Sequence, residues 1–253
     1  MLRHNRQKEG MERCLRYVNS EFGSFCDLHS MTYLSQMTQA EAIKYGVEHW
    51  RIRKYRTAGT LFWQLNDSWP VVSWSAIDYF GRPKALYYYA RMFFADVLPT
   101  LKYNEKEKPA AAYAVSHLRE TKETTINVEF FNMNGKRATS KEFEVTLPED
   151  SVTKITDIEI KDPSDTVCYV STKIDGIAYE NFRMFGRFRD SGLKDPQIEI
   201  DERDGTVSLT SKRPAFGVRL RCDSADDSFF FLKPEETKKV RARNVYGVES
   251  VYD

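Results

Sequence analysis

The chain has 253 residues, with 38 Lys and Arg against 37 Asp and Glu for a formal net charge of +1. That balance offers no basic surface for nucleic acid or for an anionic membrane. A hydrophobic share of 41% and an aromatic share of 13% exclude a disordered chain and suffice for more than one core.

Residues 11–20, where Cys14, Leu15, Tyr17 and Val18 run into Ser20-Glu21-Phe22-Gly23, read as a strand. Residues 26–31 read as irregular. Thr38-Gln39-Ala40-Glu41 has the form of a capping box and starts a helix. Ile43, Val47 and Trp50 mark its buried face, with Glu41, Lys44, Glu48, Arg51 and Lys54 toward water. Residues 60–65, Thr-Leu-Phe-Trp-Gln-Leu, have the length and bulk of a buried parallel strand. The loop Asn66-Asp67-Ser68-Trp69-Pro70 follows. Residues 82–97 then carry Leu86, Ala90, Phe93, Phe94 and Val97 at helical spacing. Residues 11–97 thus read strand, helix, strand, helix, a parallel α/β arrangement.

Pro99 and the charged run 104–109 read as a linker or an edge leading to a new domain. From residue 111 to about 189 the pattern has period two, in runs at 112–115, 125–130, 142–147, 155–160 and 167–174. Asn134-Gly135, Pro148-Glu149-Asp150, Asp162-Pro163 and Asp175-Gly176 separate them, the signature of an immunoglobulin-like sandwich. Residues 190–196 read as a second linker. Further strands are expected around 198–200, 206–209, 218–220 and 239–241, with a hairpin at Asp204-Gly205. A module that small is expected to lean on its neighbour. Phe229-Phe230-Phe231 reads as core and domain interface.

The four cysteines, Cys14, Cys26, Cys168 and Cys222, lie far apart without a CxxC pair. They read as packing thiols of a reduced, cytoplasmic protein. His29, His49 and His117 share no ligand spacing, so neither a metal nor another cofactor is expected. No apolar run approaches the roughly 18 residues of a membrane-span candidate. The charged first ten residues carry no signal-peptide core.

Glu21 ends the first predicted strand, and in an α/β barrel the C-terminal strand ends face the site. From position alone the plainer reading is a solvated loop carboxylate. FWQLNDSWP followed by SWSxxDYFGRPKALYYYARMFF contains three of the chain's four Trp. It resembles the last strand, loop and helix of the catalytic barrel of the β-mannosidases in glycoside hydrolase family 2. SEFG at residues 20–23 is similar to the segment that carries the nucleophile in that family, although Ser24-Phe25-Cys26 stands where its members have an aromatic-Gln-Ser run.

The resemblance implies a multidomain α/β plus all-β chain. Residues 1–97 would be the C-terminal part of a (β/α)8 TIM barrel, its last two strands and helices. Two immunoglobulin-like β-sandwich modules would follow, at 98–190 and 191–253. The implied activity is a retaining exo-β-mannosidase acting on terminal non-reducing β-D-mannosyl residues by double displacement. Glu21 would be the nucleophile and Trp63 a stacking surface for the sugar, or else a barrel-filling aromatic. Asn66, Asp67 and Trp69 would bind substrate, with Asp67 equally suited to capping the loop backbone; Trp74 and Asp78 read as structural.

The family's acid/base belongs to an Asn-Glu pair on an earlier strand, and Asn104-Glu105 reads as a chance match to it. Most of the barrel and the acid/base are therefore expected to lie outside this chain, as in a fragment or a split enzyme. The expected partners are a β-mannoside and either the N-terminal part of the same enzyme or a second copy meeting bare barrel surface around Phe62, Leu65 and Tyr87. The other reading is a non-catalytic β-sandwich scaffold or carbohydrate-binding region.

Overall fold

The computed structural model describes residues 2–104 and 107–253. Glu105 and Lys106, within the predicted linker, lie outside the described residues. The described chain is mostly β-sheet with few helices, and its first part differs from the α/β expectation.

Residues 11–20 belong to a helix, α1 (Gly10–Glu21), not to a strand. Met11, Cys14, Leu15 and Val18 are spaced three, four and seven apart, so they line one helical face as readily as they fill a strand. Met11 and Val18 are buried there. The second helix, α2 (Leu28–Ile52), starts well before Thr38. Its cap is Asp27, which accepts from the Ser30 N–H at 2.8 Å, while the Ser30 hydroxyl accepts from the Asp27 N–H at 3.1 Å. Thr38 sits inside the helix and donates to the Leu34 carbonyl at 2.8 Å. Residues 82–97 give a shorter helix than expected, α3 (Ala85–Phe93).

Residues 60–65 form no strand. A parallel strand is stable when neighbours pair with both its edges and cover both its faces, and the described residues supply no such neighbours. Parallel pairing in this region is confined to single bridges, such as Asn66 with Ile77.

Of the segment 99–109, expected as a linker or domain edge, residues 99–104 and 107–109 belong to two strands, β1 (Val97–Asn104) and β2 (Glu107–Ser116). Pro99 is tolerated because β1 pairs on one side alone, with β2. Strands β3 (Lys122–Phe131), β4 (Arg137–Leu147), β5 (Val152–Ile158), β6 (Val167–Ile174) and β7 (Ile177–Met184) complete an antiparallel sandwich. Its sheets run β1-β2-β5 and β4-β3-β6-β7. Asp175 and Gly176 join β6 to β7 with φ of 50° and 84°, the left-handed pair a tight hairpin needs.

The C-terminal unit contains β8 (Glu199–Arg203), β9 (Thr206–Thr210), β10 (Ala215–Arg221), β11 (Ser224–Ala225), β12 (Phe230–Leu232), β13 (Lys238–Arg243) and β14 (Gly247–Glu249). Its sheets run β11-β13-β9-β8 and β12-β10-β14. The short strands β11, β12 and β14 carry too few alternations to be read from sequence.

Each sandwich has its own core. Ile126, Val128, Leu147 and Val170 fill the first, and Val207, Leu209, Val218 and Leu232 the second. A third cluster joins everything. Met37 and Val47 of α2 and Leu86, Tyr89 and Phe93 of α3 pack on Val167, Tyr169 and Phe182, together with Phe216, Phe229 and Phe231. The sheet β4-β3-β6-β7 is therefore covered on both faces, which is why β6 is continuously buried from Val167 to Val170.

This packing overturns the expected water-facing side of α2. Lys44, Glu48 and Arg51 are buried. Lys44 Nζ donates to the Phe182 carbonyl at 2.6 Å, and Asn181 Nδ2 donates to Glu48 Oε1 at 2.7 Å. Arg51 Nη1 donates to the Phe93 carbonyl at 2.6 Å, and burial pulls its pKa down to about 10. The helix also approaches the C-terminal unit closely at Gly217, whose carbonyl accepts from the Tyr33 hydroxyl at 2.6 Å. A Cβ there would stand 2.7 Å from Met37 Sδ, so the position requires glycine.

Candidate functional site

The loop between α2 and α3 is organised by its own hydrogen bonds. The Gln64 carbonyl accepts from Ala76 N–H at 3.0 Å, the Leu65 carbonyl from Ile77 N–H at 2.8 Å, and the Ala76 carbonyl from Lys84 N–H at 2.9 Å. Asp67 is the centre of this loop and is 5% exposed. Its carboxylate accepts from the Ser73 hydroxyl at 2.7 Å, from the Ser75 hydroxyl and from Gln64 Nε2 at 3.2 Å. Lys84 Nζ lies 3.9 Å away and donates to Ser75 Oγ at 2.8 Å. Burial lowers the Lys84 pKa, opposed by the Asp67 and Asp78 charges. Of the two roles open to Asp67, the structure uses the carboxylate inside the loop.

Removing that carboxylate takes the acceptor from the Ser73 and Ser75 hydroxyls and the compensating negative charge from Lys84. Asp67→Ala is expected to cost about 1–3 kcal/mol locally and to speed amide exchange at Ala76 and Ile77. Unchanged exchange there would mean that Asp67 does not hold the loop.

The aromatic residues of the loop divide by exposure. Phe62 stacks on Phe94 with ring centroids 6.2 Å apart. Leu61, Trp63 and Leu65 point to solvent, Trp63 with 76% of its surface exposed. The Trp63–Gln64 peptide is cis. Asn66 is exposed, and its carbonyl accepts from Gln64 Nε2 at 2.7 Å. Trp69 is stacked on His4 at 5.9 Å, and the same His4 bonds through Nδ1 to the Pro70 carbonyl. Trp74 is anchored through its carbonyl, which accepts from Gln39 Nε2 at 2.6 Å. Asp78 Oδ1 accepts from the Phe80 and Arg82 N–H groups at 2.8 and 3.0 Å. The sequence reading missed Gln64, Ser73, Ser75 and Lys84, whose one signal is the Ser-x-Ser spacing near a buried-loop Asp.

Glu21 lies elsewhere. It ends α1, so the strand end on which it was expected is absent. Its carboxyl is half-buried against the 187–190 segment, and burial raises its pKa while a hydrogen bond from the Phe188 backbone opposes the rise. Phe22 stacks on Phe188 at 5.0 Å, and Arg189 Nη1 donates to the Asn19 carbonyl at 3.0 Å. The charged neighbours of Glu21 are Glu41, Arg187 and Asp190, none of them in the 59–84 loop. The structure therefore brings Trp63, Asn66, Asp67 and Trp69 together and leaves Glu21 at a helix–sandwich contact.

Among the described residues no group of three or more His, Cys, Asp or Glu side chains is placed to hold a metal ion. All four cysteines are free thiols. Among the described residues no helix is long and apolar enough to cross a membrane.

Residues 108–190 match the family model of the mannosidase Ig/CBM-like domain. Beta-mannosidase B of Aspergillus niger is 39% identical over 88 residues, which cover 34% of this chain and 10% of that protein. The protein of the same name from Aspergillus flavus is 38% identical over 88 residues, with the same coverage. The crystal structure of a β-D-mannosidase from Dictyoglomus thermophilum superposes on 99% of this chain with a TM-score of 0.85 and 28% identity. An exo-chitosanase of Amycolatopsis orientalis shares the fold over 94% of the chain, with a TM-score of 0.73 and 15% identity. The chain spans 33% of the solved β-mannosidase and 10% of the Aspergillus proteins. In sequence and fold the chain is similar to the C-terminal part of these β-mannosidases.

Proposed function

We propose that this chain provides the C-terminal scaffold and one wall of the sugar site of a retaining exo-β-mannosidase. Such an enzyme removes terminal non-reducing β-D-mannosyl residues by double displacement between two carboxyl groups about 5–5.5 Å apart. The observation that carries the reading is Trp63, an indole exposed beside a loop that Asp67 holds in place. An indole face of that kind stacks on the apolar face of a pyranose. Residues 59–97 then stand for the last strand, loop and helix of the barrel, with Leu61 and Leu65 waiting for neighbouring strands. The sandwiches, 98–190 and 191–253, brace the barrel through the third core cluster.

On this reading the nucleophile and the acid/base both come from barrel strands outside the chain, and Glu21 anchors α1 on the first sandwich. The partner is the remainder of the barrel, and the substrate a β-mannoside. A glycan platform built on Phe229, Phe230 and Phe231 is disfavoured, because all three rings are buried.

The purified chain is expected to release no product from an aryl β-mannoside. In the enzyme completed by the remaining barrel strands, Trp63→Ala is expected to lower kcat/KM by about 10–100-fold, the equivalent of about 1.5–3 kcal/mol of lost aromatic contact. Glu21→Gln is expected to keep turnover within about threefold, against the loss of several orders of magnitude that follows removal of a nucleophile. Turnover by the isolated chain, or abolition by Glu21→Gln, would overturn the assignment.

A further inference from the structure

A cleft of about 240 Å³ opens where α3, β7 and the C-terminal unit meet. It belongs to none of the loop residues described above. Its apolar side is formed by Tyr88 and Phe230, and its polar side by Arg91, Glu180, Asp227 and Lys238. The four charged groups are wired together. Lys238 Nζ lies 3.0 Å from Asp227 Oδ2 and 3.5 Å from Glu180 Oε1. Tyr169 donates to Glu180 Oε2 at 2.5 Å. Arg91 Nη1 stands 3.9 Å from Asp227 Oδ1 and donates to the Asp226 carbonyl at 3.0 Å. Lys238 Nζ also sits over the Phe230 ring, 4.7 Å from its centroid.

Three features decide what such a cleft can hold. Its rim has two carboxylates and two cations, so its formal charge is zero, and neither a phosphate nor a metal cation gains from entering it. The pairs are held in fixed positions, so each offers a donor beside an acceptor, which is the pattern that vicinal hydroxyls satisfy. Arg91 brings a five-donor fork to the rim, with Nη1 bonded to the Asp226 carbonyl. Of the two rings on the apolar side Phe230 is buried beneath Lys238, so the half-buried Tyr88 supplies the aromatic surface suited to the C–H face of a sugar ring. The volume falls just below the roughly 300 Å³ at which pockets for drug-sized ligands begin. One or two rings fill it.

We infer that the cleft between α3, β7 and the 227–230 segment is a second carbohydrate site, binding a neutral pyranoside through Arg91, Asp227, Glu180 and Lys238 with Tyr88 as its stacking side. Burial and the neighbouring Asp227 charge raise the Tyr88 pKa, so its hydroxyl stays protonated and remains a donor or acceptor for a sugar hydroxyl. The site lies at a module junction, where occupancy would hold α3 and both sandwiches in one arrangement. It is independent of the hydrolytic reading, since it uses no residue of the 59–84 loop.

The test is titration of the 253-residue chain with β-1,4-mannobiose and with cellobiose, followed by amide chemical shifts. Saturable shifts at Arg91, Ala178 and Phe230 are expected, with a Kd in the millimolar range or about 4 kcal/mol of binding free energy. Arg91 is surface-exposed, so Arg91→Ala keeps the fold. It is expected to weaken binding about tenfold, as is Asp227→Asn. Inorganic phosphate at the same concentrations is expected to leave those amides unmoved. Absence of saturable shifts with both disaccharides up to about 10 mM, preferential shifts with phosphate, or sugar binding unchanged in both variants would each overturn the site. None of these outcomes touches the Trp63 measurement.

Discussion

Replacing Glu48 with alanine is expected to lower the unfolding free energy by about 3–5 kcal/mol, the range for removing one partner of a buried ion pair. Glu48 is 2% exposed and stands 3.6 Å from Lys44 Nζ and 3.7 Å from Arg183 Nη1. Lys44 would still donate to the Phe182 carbonyl, Asn181 to the Pro99 carbonyl and Arg183 to the Leu101 carbonyl. What disappears is the negative charge that compensates two cations away from water. The penalty is therefore electrostatic more than a matter of hydrogen-bond count. Lys44→Met combined with Glu48→Leu removes both charges and keeps the volume, so it should cost far less than the single change. Urea unfolding monitored by circular dichroism distinguishes the cases. A loss below about 1 kcal/mol in Glu48→Ala would mean that water reaches the pair.

The same pair explains where sequence reading failed. Lys44, Glu48 and Arg51 sit on the polar side of the α2 periodicity, and nothing local marks them as interior. The residues that cover them, Asn181 to Arg183, lie far along the chain on β7. Local signals did better where the fold is local. The alternating runs of β2, β3, β4 and β6 and the Asp-Gly turns at 175–176 and 204–205 were legible, because a hairpin is decided by its own residues.

Residues 11–20 were misread because ten residues with four apolar positions fit both periods. Residues 60–65 have the bulk of a parallel strand, but a strand also needs neighbours, which composition cannot supply. In the candidate site, Asn66 was legible as a polar loop residue, whereas Trp63 was read inside the strand expected at 60–65 and is exposed. A loop-internal use of Asp67 was one of its two expected roles, but its partners Ser73, Ser75 and Lys84 were not legible, since they come from the far side of the loop. Glu21 took its expected role from the resemblance of residues 20–23; its expected place at a strand end is taken by the end of a helix.

Phe182→Ala is expected to cost about 3–5 kcal/mol, the range for truncating a well-packed buried aromatic. The ring stacks on Phe231 at 4.9 Å, meets Tyr89 edge-on at 6.2 Å and Phe216 at 6.0 Å, and carries Lys44 Nζ 4.7 Å from its centroid. It touches α2, α3 and the C-terminal unit from one position on the outer face of β7. The inner core of the first sandwich, with Ile126, Val128 and Val170, does not include it. Its loss should therefore act on the junction before it acts on the sandwich.

Hydrogen exchange gives the discriminating measurement. In Phe182→Ala the amides of α2, α3 and β12 should exchange faster, while those of β3 and β6 keep their protection at moderate urea. Val128→Ala, which opens a cavity in the inner core, should loosen β3 and β6 instead. If both variants release all these amides together, the helices and the two sandwiches unfold as one cooperative unit. The third core cluster would then be as strong as the sandwich interior. If they separate, the helices carrying the 59–84 loop release from the sandwiches at the aromatic junction first, and the position of Trp63 depends on a contact formed by residues more than a hundred positions away in the chain.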